Sequence, residues 1–145
     1  EALLCFDVIV AERRARFGLP EMLFGLFPGM GAYSILARKL GRRMAEKMIL
    51  SGKVYSAEEM YDMGIVTILA EDGQGEAAVR DYIAGNRPHH AGHVGVFSAG
   101  RRVDPLEYGE LKDIVENWAE TALKLDPKDL RLMRRLASAQ TRLTR

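Results

Sequence analysis

The stretch FGLPEMLFGLFPGMGA, residues 17–32, decides how this chain is read. Gly18 and Pro20 forbid a continuous helix at its start. Gly25, Pro28, Gly29 and Gly31 then punctuate an apolar run, so backbone there is free to approach another group closely. A carboxylate, Glu21, sits in this glycine-flanked loop between apolar segments. Partial burial there raises a carboxyl pKa and suits proton transfer, although an exposed or hydrogen-bonded loop acid has the same local sequence. Gly29 and Gly31 ahead of a helix faintly resemble a phosphate cradle. No Lys-Ser or Lys-Thr follows them, and no dinucleotide fingerprint is complete.

Working outward, EALLCFDVIVA at 1–11 reads as the end of a short buried helix followed by a strand near Val8 to Val10. Downstream of the loop, Ile35, Leu36 and Leu40 fall on one helical face that stops at Gly41. Met44, Met48 and Ile49 form a second stripe that stops at Gly52. Ser56 with Glu59 predicts a capping box opening a third helix that ends near Gly64. Ile65 to Leu69 reads as a strand and Ala77 to Ile83 as a helix, so the fold class is α/β.

GNRPHHAGHVGVFSAG at 85–100 reads as a linker. His89, His90 and His93 there have metal-like spacing but no acidic or cysteine partner nearby, so they read as polar loop residues. Asp104 and Asp126, each before proline, read as N-caps of two amphipathic helices, the first carrying Trp118. The expected organisation is a core part at 1–84, a flexible linker at 85–103 and a helical region at 104–145.

Composition sets the bounds. The chain has 145 residues, 48% of them hydrophobic, one cysteine, and 21 Lys and Arg against 20 Asp and Glu. That balance argues against binding nucleic acid by bulk charge. A lone Cys5 in an apolar run predicts a buried thiol and a reducing, cytoplasmic setting. No apolar run has the length of a membrane span. Basic residues cluster as Arg38, Lys39, Arg42, Arg43 and Lys47 against Glu46, and again between Lys128 and Arg145. Such clusters are either solvated helix faces or docking points for an anionic partner.

FGLPEMLFGLFPGMGA together with SGKVYSAEEMYDMGIV at 51–66 resembles the second half of the crotonase (enoyl-CoA hydratase/isomerase) superfamily. Glu1, Ala2 and Cys5, then Phe17, Gly18, Pro20 and Glu21, then Pro28, Gly29 and Gly31, then Gly41, Gly52, Ala57, Glu58, Gly64 and Val66 match its motifs in order and spacing. Ala32, Tyr33 and Ser34 depart from it, standing where coenzyme A hydratases usually carry a further glycine and Thr-Gln-Arg or Ser-Gln-Arg. LFPGMGAYS, AEDGQGEAAVRDYI and the helical tail are most similar to the branch that makes diffusible signal factor, a cis-2-unsaturated quorum-sensing fatty acid.

The resemblance implies the C-terminal half of a ββα-superhelix, which fits a chain opening at Glu1 without methionine. It places the catalytic pair on Glu1 and Glu21, with Glu21 as base and Glu1 as acid or the reverse. Phe17, Gly18, Leu19, Met22, Leu23, Phe24, Gly29, Met30, Gly31 and Trp118 become candidates for substrate binding, with core packing as the alternative for the apolar ones. The implied chemistry is dehydration of a 3-hydroxyacyl group on acyl carrier protein, then thioester hydrolysis. Ordinary hydration or isomerisation of acyl-CoA is the alternative, and a non-catalytic binding module is a third reading. No metal or organic cofactor is implied beyond the phosphopantetheine of the carrier protein or coenzyme A.

The basic cluster at 38–43 is then the expected carrier-protein dock. A homo-oligomer, as trimer or dimer of trimers, and a sensor kinase receiver domain are the further partners implied. The amides expected to hold the thioester oxygen lie ahead of Glu1 in this family, so an isolated 1–145 polypeptide is expected to be inactive.

Overall fold

The computed structural model describes residues 1–143, so Thr144 and Arg145, the end of the expected helical region, lie outside the described residues. The chain opens with a 3-10 turn, Ala2–Cys5, and enters strand β1, Val10–Glu12. Strand β2, Arg16–Gly18, leads into a second 3-10 turn, Pro20–Phe24, which Gly25 ends at φ 77°. Helices α1, Ala32–Leu40, and α2, Arg42–Ser51, follow, separated by Gly41 and stopped by Gly52 in the left-handed region. Strand β3 is Val54–Ser56, helix α3 Ala57–Asp62 and strand β4 Ile68–Ala70. Helices α4, Gly75–Asn86, α5, His90–Val103, α6, Tyr108–Ala122, and α7, Pro127–Leu143, complete the described residues.

Two short ladders tie this mixed α/β body together. β1 pairs in parallel with β4, Val10 opposite Ile68, and β2 pairs antiparallel with β3, Phe17 opposite Tyr55. The parallel pair buries Ile9, Ala11 and Ala70, while α1, α2 and α3 add Leu36, Met48 and Met60. Leu36 and Ile65 are fully buried, and each apolar side chain of that size contributes about 2 kcal/mol by leaving water. The capping box forms as expected. Ser56 Oγ accepts from the Glu59 amide at 3.1 Å, and the Glu59 carboxylate accepts from the Ser56 amide at 2.8 Å. Asp126 also caps as expected, its Oδ1 accepting from the Lys128 and Asp129 amides.

Several expectations are corrected. Most of the 85–103 stretch is helical: after a 3-10 turn, Arg87–His89, helix α5 runs through it. Pro88 sits in the first turn, where its missing N–H costs nothing. The ring of His93 lies edge-on between Tyr82 of α4 and Phe97, which gives α5 an apolar seam despite its glycines. The three histidines are therefore on or beside a helix, and only His93 of them turns into the seam.

Cys5 is exposed rather than buried, because the three-residue period of its 3-10 turn sends Leu4 inward instead. Asp104 ends α5, its amide bonding the Gly100 carbonyl, and α6 starts after Glu107. The strands expected at Val8 to Val10 and Ile65 to Leu69 begin two and three residues later, at Val10 and Ile68, where the β1–β4 ladder closes. Among the described residues, no helix is long and apolar enough to cross a membrane.

Candidate active site

Glu1 and Glu21, twenty residues apart in the chain, lie near enough for the charge of Glu1 to act on Glu21. Glu1 Oε2 accepts from the amides of Met30 and Ala32, both at 2.9 Å. Those amides belong to the turn that opens α1, where Gly31 holds φ 104° and so permits the close approach. The backbone opening expected at Gly29 and Gly31 thus receives a carboxylate of the same chain. The positive end of a nine-residue helix also favours an anion there. Glu1 Oε1 accepts no hydrogen bond from the described residues.

Glu21 lies in the 3-10 turn that Pro20 opens. Its Oε2 is buried without a hydrogen-bond partner, a condition that costs free energy unless something else supplies the partner. Burial pushes the Glu21 carboxyl above its ordinary value, and the negative charge of Glu1 adds to that rise, while its own backbone amide opposes it. One carboxylate is therefore fixed by two amides, and a second, nearby one is kept short of partners, with its pKa raised.

The expected substrate-binding residues divide. Phe17, Gly18 and Leu19 line a cavity of about 90 Å³ together with Glu1, Met48 and Met60. Met22 instead lines a groove of about 420 Å³ between α2 and α6, with Phe27, Tyr33 and Ile114. Phe24 is buried at 7% exposure and belongs to the core. Leu23 faces outward over Gly52, as the 3-10 period requires of its neighbour, and the Met30 side chain is 81% exposed. What Met30 supplies is its amide. Gly29 lies under the Trp118 ring, and Gly31 under Leu111.

Sequence reasoning missed Lys53 and Tyr55, which also line the cavity beside Glu1. They arrive through the β2–β3 pairing, for which three-residue strands give no periodic signal. It missed the two amides as well, for which the glycine spacing was the available sign. The residues of the basic cluster are differently placed. Arg38 forks onto Glu110 of α6 at 2.7 and 2.8 Å, Arg42 pairs with Glu46 at 2.9 Å, and the Lys39 ammonium donates to the Phe6 carbonyl. Arg38 is thus taken up inside the chain, whereas Arg42 and Arg43 stay exposed and share Glu46. Among the described residues, no three His, Cys, Asp or Glu side chains converge as a metal site.

The family model described as enoyl-CoA hydratase/isomerase matches residues 1–83. The chain is 47% identical over 66 residues to the 2,3-dehydroadipyl-CoA hydratase of Escherichia coli, covering 46% of this chain and 26% of that protein. It is 37% identical over 113 residues to a mevalonyl-coenzyme A hydratase of Beauveria bassiana, covering 74% of this chain and 40% of that protein. It therefore spans well under half the length of these relatives. Among solved structures, an enoyl-CoA hydratase from Mycobacterium avium superposes with a TM-score of 0.69 at 25% identity, over 84% of this chain and 55% of that one. A carnitinyl-CoA hydratase from the same species shares the fold, with a TM-score of 0.68 at 23% identity over 96% of this chain and 54% of that one.

Proposed function

Because the chain belongs to the enoyl-CoA hydratase/isomerase family, we propose that Glu1 and Glu21 are the proton-transfer pair of a hydratase acting on acyl-CoA thioesters. The observation that carries this reading is the buried, unpartnered Glu21 oxygen beside a Glu1 carboxylate that two amides hold in place. A reacting pair has to be poised in this way, since one group must hold a proton while the other takes one.

In the hydration direction, Glu1 takes a proton from water as the water oxygen bonds to C3 of the enoyl group. The C2–C3 π electrons pass toward the thioester carbonyl, and the Glu21 carboxylic acid delivers its proton to C2. The pair ends with Glu1 protonated and Glu21 ionised, and transfer of one proton through solvent resets it. Dehydration runs the same steps backward, with Glu21 removing the C2 proton and Glu1 protonating the departing hydroxyl. The developing charge on the thioester oxygen is left to amides expected ahead of Glu1.

Coenzyme A is favoured over a carrier protein on two grounds. The relatives named above are hydratases of coenzyme A thioesters by name, and Arg38 of the basic cluster that would dock a carrier protein is taken up by Glu110. The test offers the intact protein crotonyl-CoA, 2,3-dehydroadipyl-CoA and matching carrier-protein thioesters side by side, with product followed by mass. Hydration of the coenzyme A substrates is expected. Turnover confined to carrier-protein thioesters, or release of free acid as the main product, would restore the signal-factor reading in its place.

A further inference from the structure

Helix α6 bears on the site without bringing an ionisable group into it. The Trp118 ring lies so close to Gly29 that a methyl group on Gly29 would sit 2.5 Å from Cδ1 and 2.6 Å from Cγ. Gly29 is not among the glycines with positive φ, so what it provides is space for the ring and not a special backbone angle. Two turns earlier on the same face, Leu111 Cδ2 stands 3.3 Å from where a Gly31 side chain would begin. Beside it, Glu110 receives the two-point fork of Arg38 from α1, which ties α6 to the helix that the turn opens. Met30 lies between the two pinned glycines and Ala32 directly follows them, and these are the residues whose amides hold Glu1 Oε2.

We propose that Trp118 is a positioning residue for the Glu1 carboxylate, acting through Gly29 and the turn at 28–32. The inference rests on the hydratase reading of Glu1 and Glu21. It replaces the expectation that Trp118 walls the acyl pocket. An indole packed against a glycine removes the freedom of the turn, and the two amides then aim at one fixed point. Displacing a reacting group by about 1 Å is enough to cost on the order of 100-fold in rate, so a distant side chain can act strongly by this route.

The experiment is a cycle in the intact protein: Gly29→Ala, Trp118→Ala, the two combined, and Trp118→Phe, each assayed for kcat and KM over a series of enoyl-CoA lengths. Each of the first two is expected to lower kcat between about 10- and 100-fold while KM and length preference stay within about threefold. The combined variant is expected to lose no more than either single one, since the added methyl fills space that the ring has left. Trp118→Phe keeps a ring over Gly29 and recovers most of kcat. Should Trp118→Ala fail to fold, Gly29→Ala and Trp118→Phe still decide the matter.

Losses that multiply in the combined variant overturn the proposal. So does a change in KM or length preference with kcat intact, which would return Trp118 to the pocket wall. Full activity of Glu1→Gln would remove the underlying hydratase reading instead, and the two failures are thereby told apart.

Discussion

Glu59 and Glu21 stand in two turns joined by the same two-stranded ladder, in which Phe17 faces Tyr55. At Glu59 both oxygens are used: Oε2 accepts from the Ser56 amide at 2.8 Å and Oε1 from the Lys53 ammonium. Its carboxyl is held below the ordinary value, by Lys53 first and then by the Ser56 amide. At Glu21 one oxygen is buried with no partner, and burial drives the carboxyl the other way. The residue type is the same and the neighbourhood is shared. What differs is whether the fold itself completes the hydrogen bonding or leaves part of it to an incoming group, and only the second arrangement prepares a carboxyl for proton transfer.

The sharpest way to break this contrast is to remove each charge in turn. Glu21→Gln in the intact protein is expected to lower kcat for hydration by at least about 100-fold, the usual scale of a general acid or base. Its stability at neutral pH should hold or rise, because an ionised carboxyl in a half-buried site is replaced by a neutral amide. Glu59→Gln is expected to do the reverse, leaving kcat within about threefold and lowering stability slightly through the lost Lys53 charge pair, since a glutamine oxygen still accepts from the Ser56 amide. If the two variants exchanged these effects in combined kinetic and denaturant measurements, the assignment of roles would fail.

Titration offers a second, smaller separation. Glu21 has its folded-state pKa raised, so the native state binds that proton more tightly than the unfolded chain does. Ionising it therefore opposes folding above the raised value, and the penalty is relieved as pH falls toward the ordinary carboxyl range. The dehydration direction needs Glu21 ionised, so the acid limb of its kcat/KM profile is expected above the ordinary glutamate range and should vanish in Glu21→Gln. Glu110 has the opposite sign. The Arg38 fork lowers it to about 2, so its contribution is whole above the unfolded value of 4.5 and is lost as pH falls from there toward about 2. Acid unfolding of Glu110→Gln should be flatter across that window than that of the parent protein.

The local end of the contrast is the cap at Ser56. Ser56→Ala is expected to lower stability by about 1 kcal/mol with kcat unchanged, read from a denaturant midpoint. This element was also the most legible in the sequence, because a capping box is complete within four residues and needs no tertiary context. Helices α1 and α2 were legible for a similar reason, their apolar periods ending at Gly41 and Gly52.

The site was legible only in part. Motif resemblance marked both glutamates, whereas spacing alone left Glu21 as one loop acid among others. That Glu1 is held by Met30 and Ala32 depends on a chain reversal over some thirty residues, which no local pattern encodes. Strands β2 and β3 are three residues long, too short for an alternating period to register. Glycine and histidine content made 85–103 read as a loop, although its helix is held by a His93 seam that forms only against α4.

Two kinds of glycine extend the same contrast to its smallest effect. Gly92 and Gly95 lie within α5, and a methyl group on either would meet nothing within 4 Å. Gly29 would meet the Trp118 ring at 2.5 Å. Alanine narrows the unfolded ensemble and suits a helix interior, so Gly92→Ala and Gly95→Ala should each stabilise the intact protein by about 0.5–1 kcal/mol without changing kcat. Gly29→Ala should lower kcat, because there the missing side chain is the space that the site requires. A denaturant series in which the two α5 variants bring no gain, or in which they destabilise, would show that 85–103 does not stay helical in solution. Residues 85–103 would then be the flexible linker that their composition predicts.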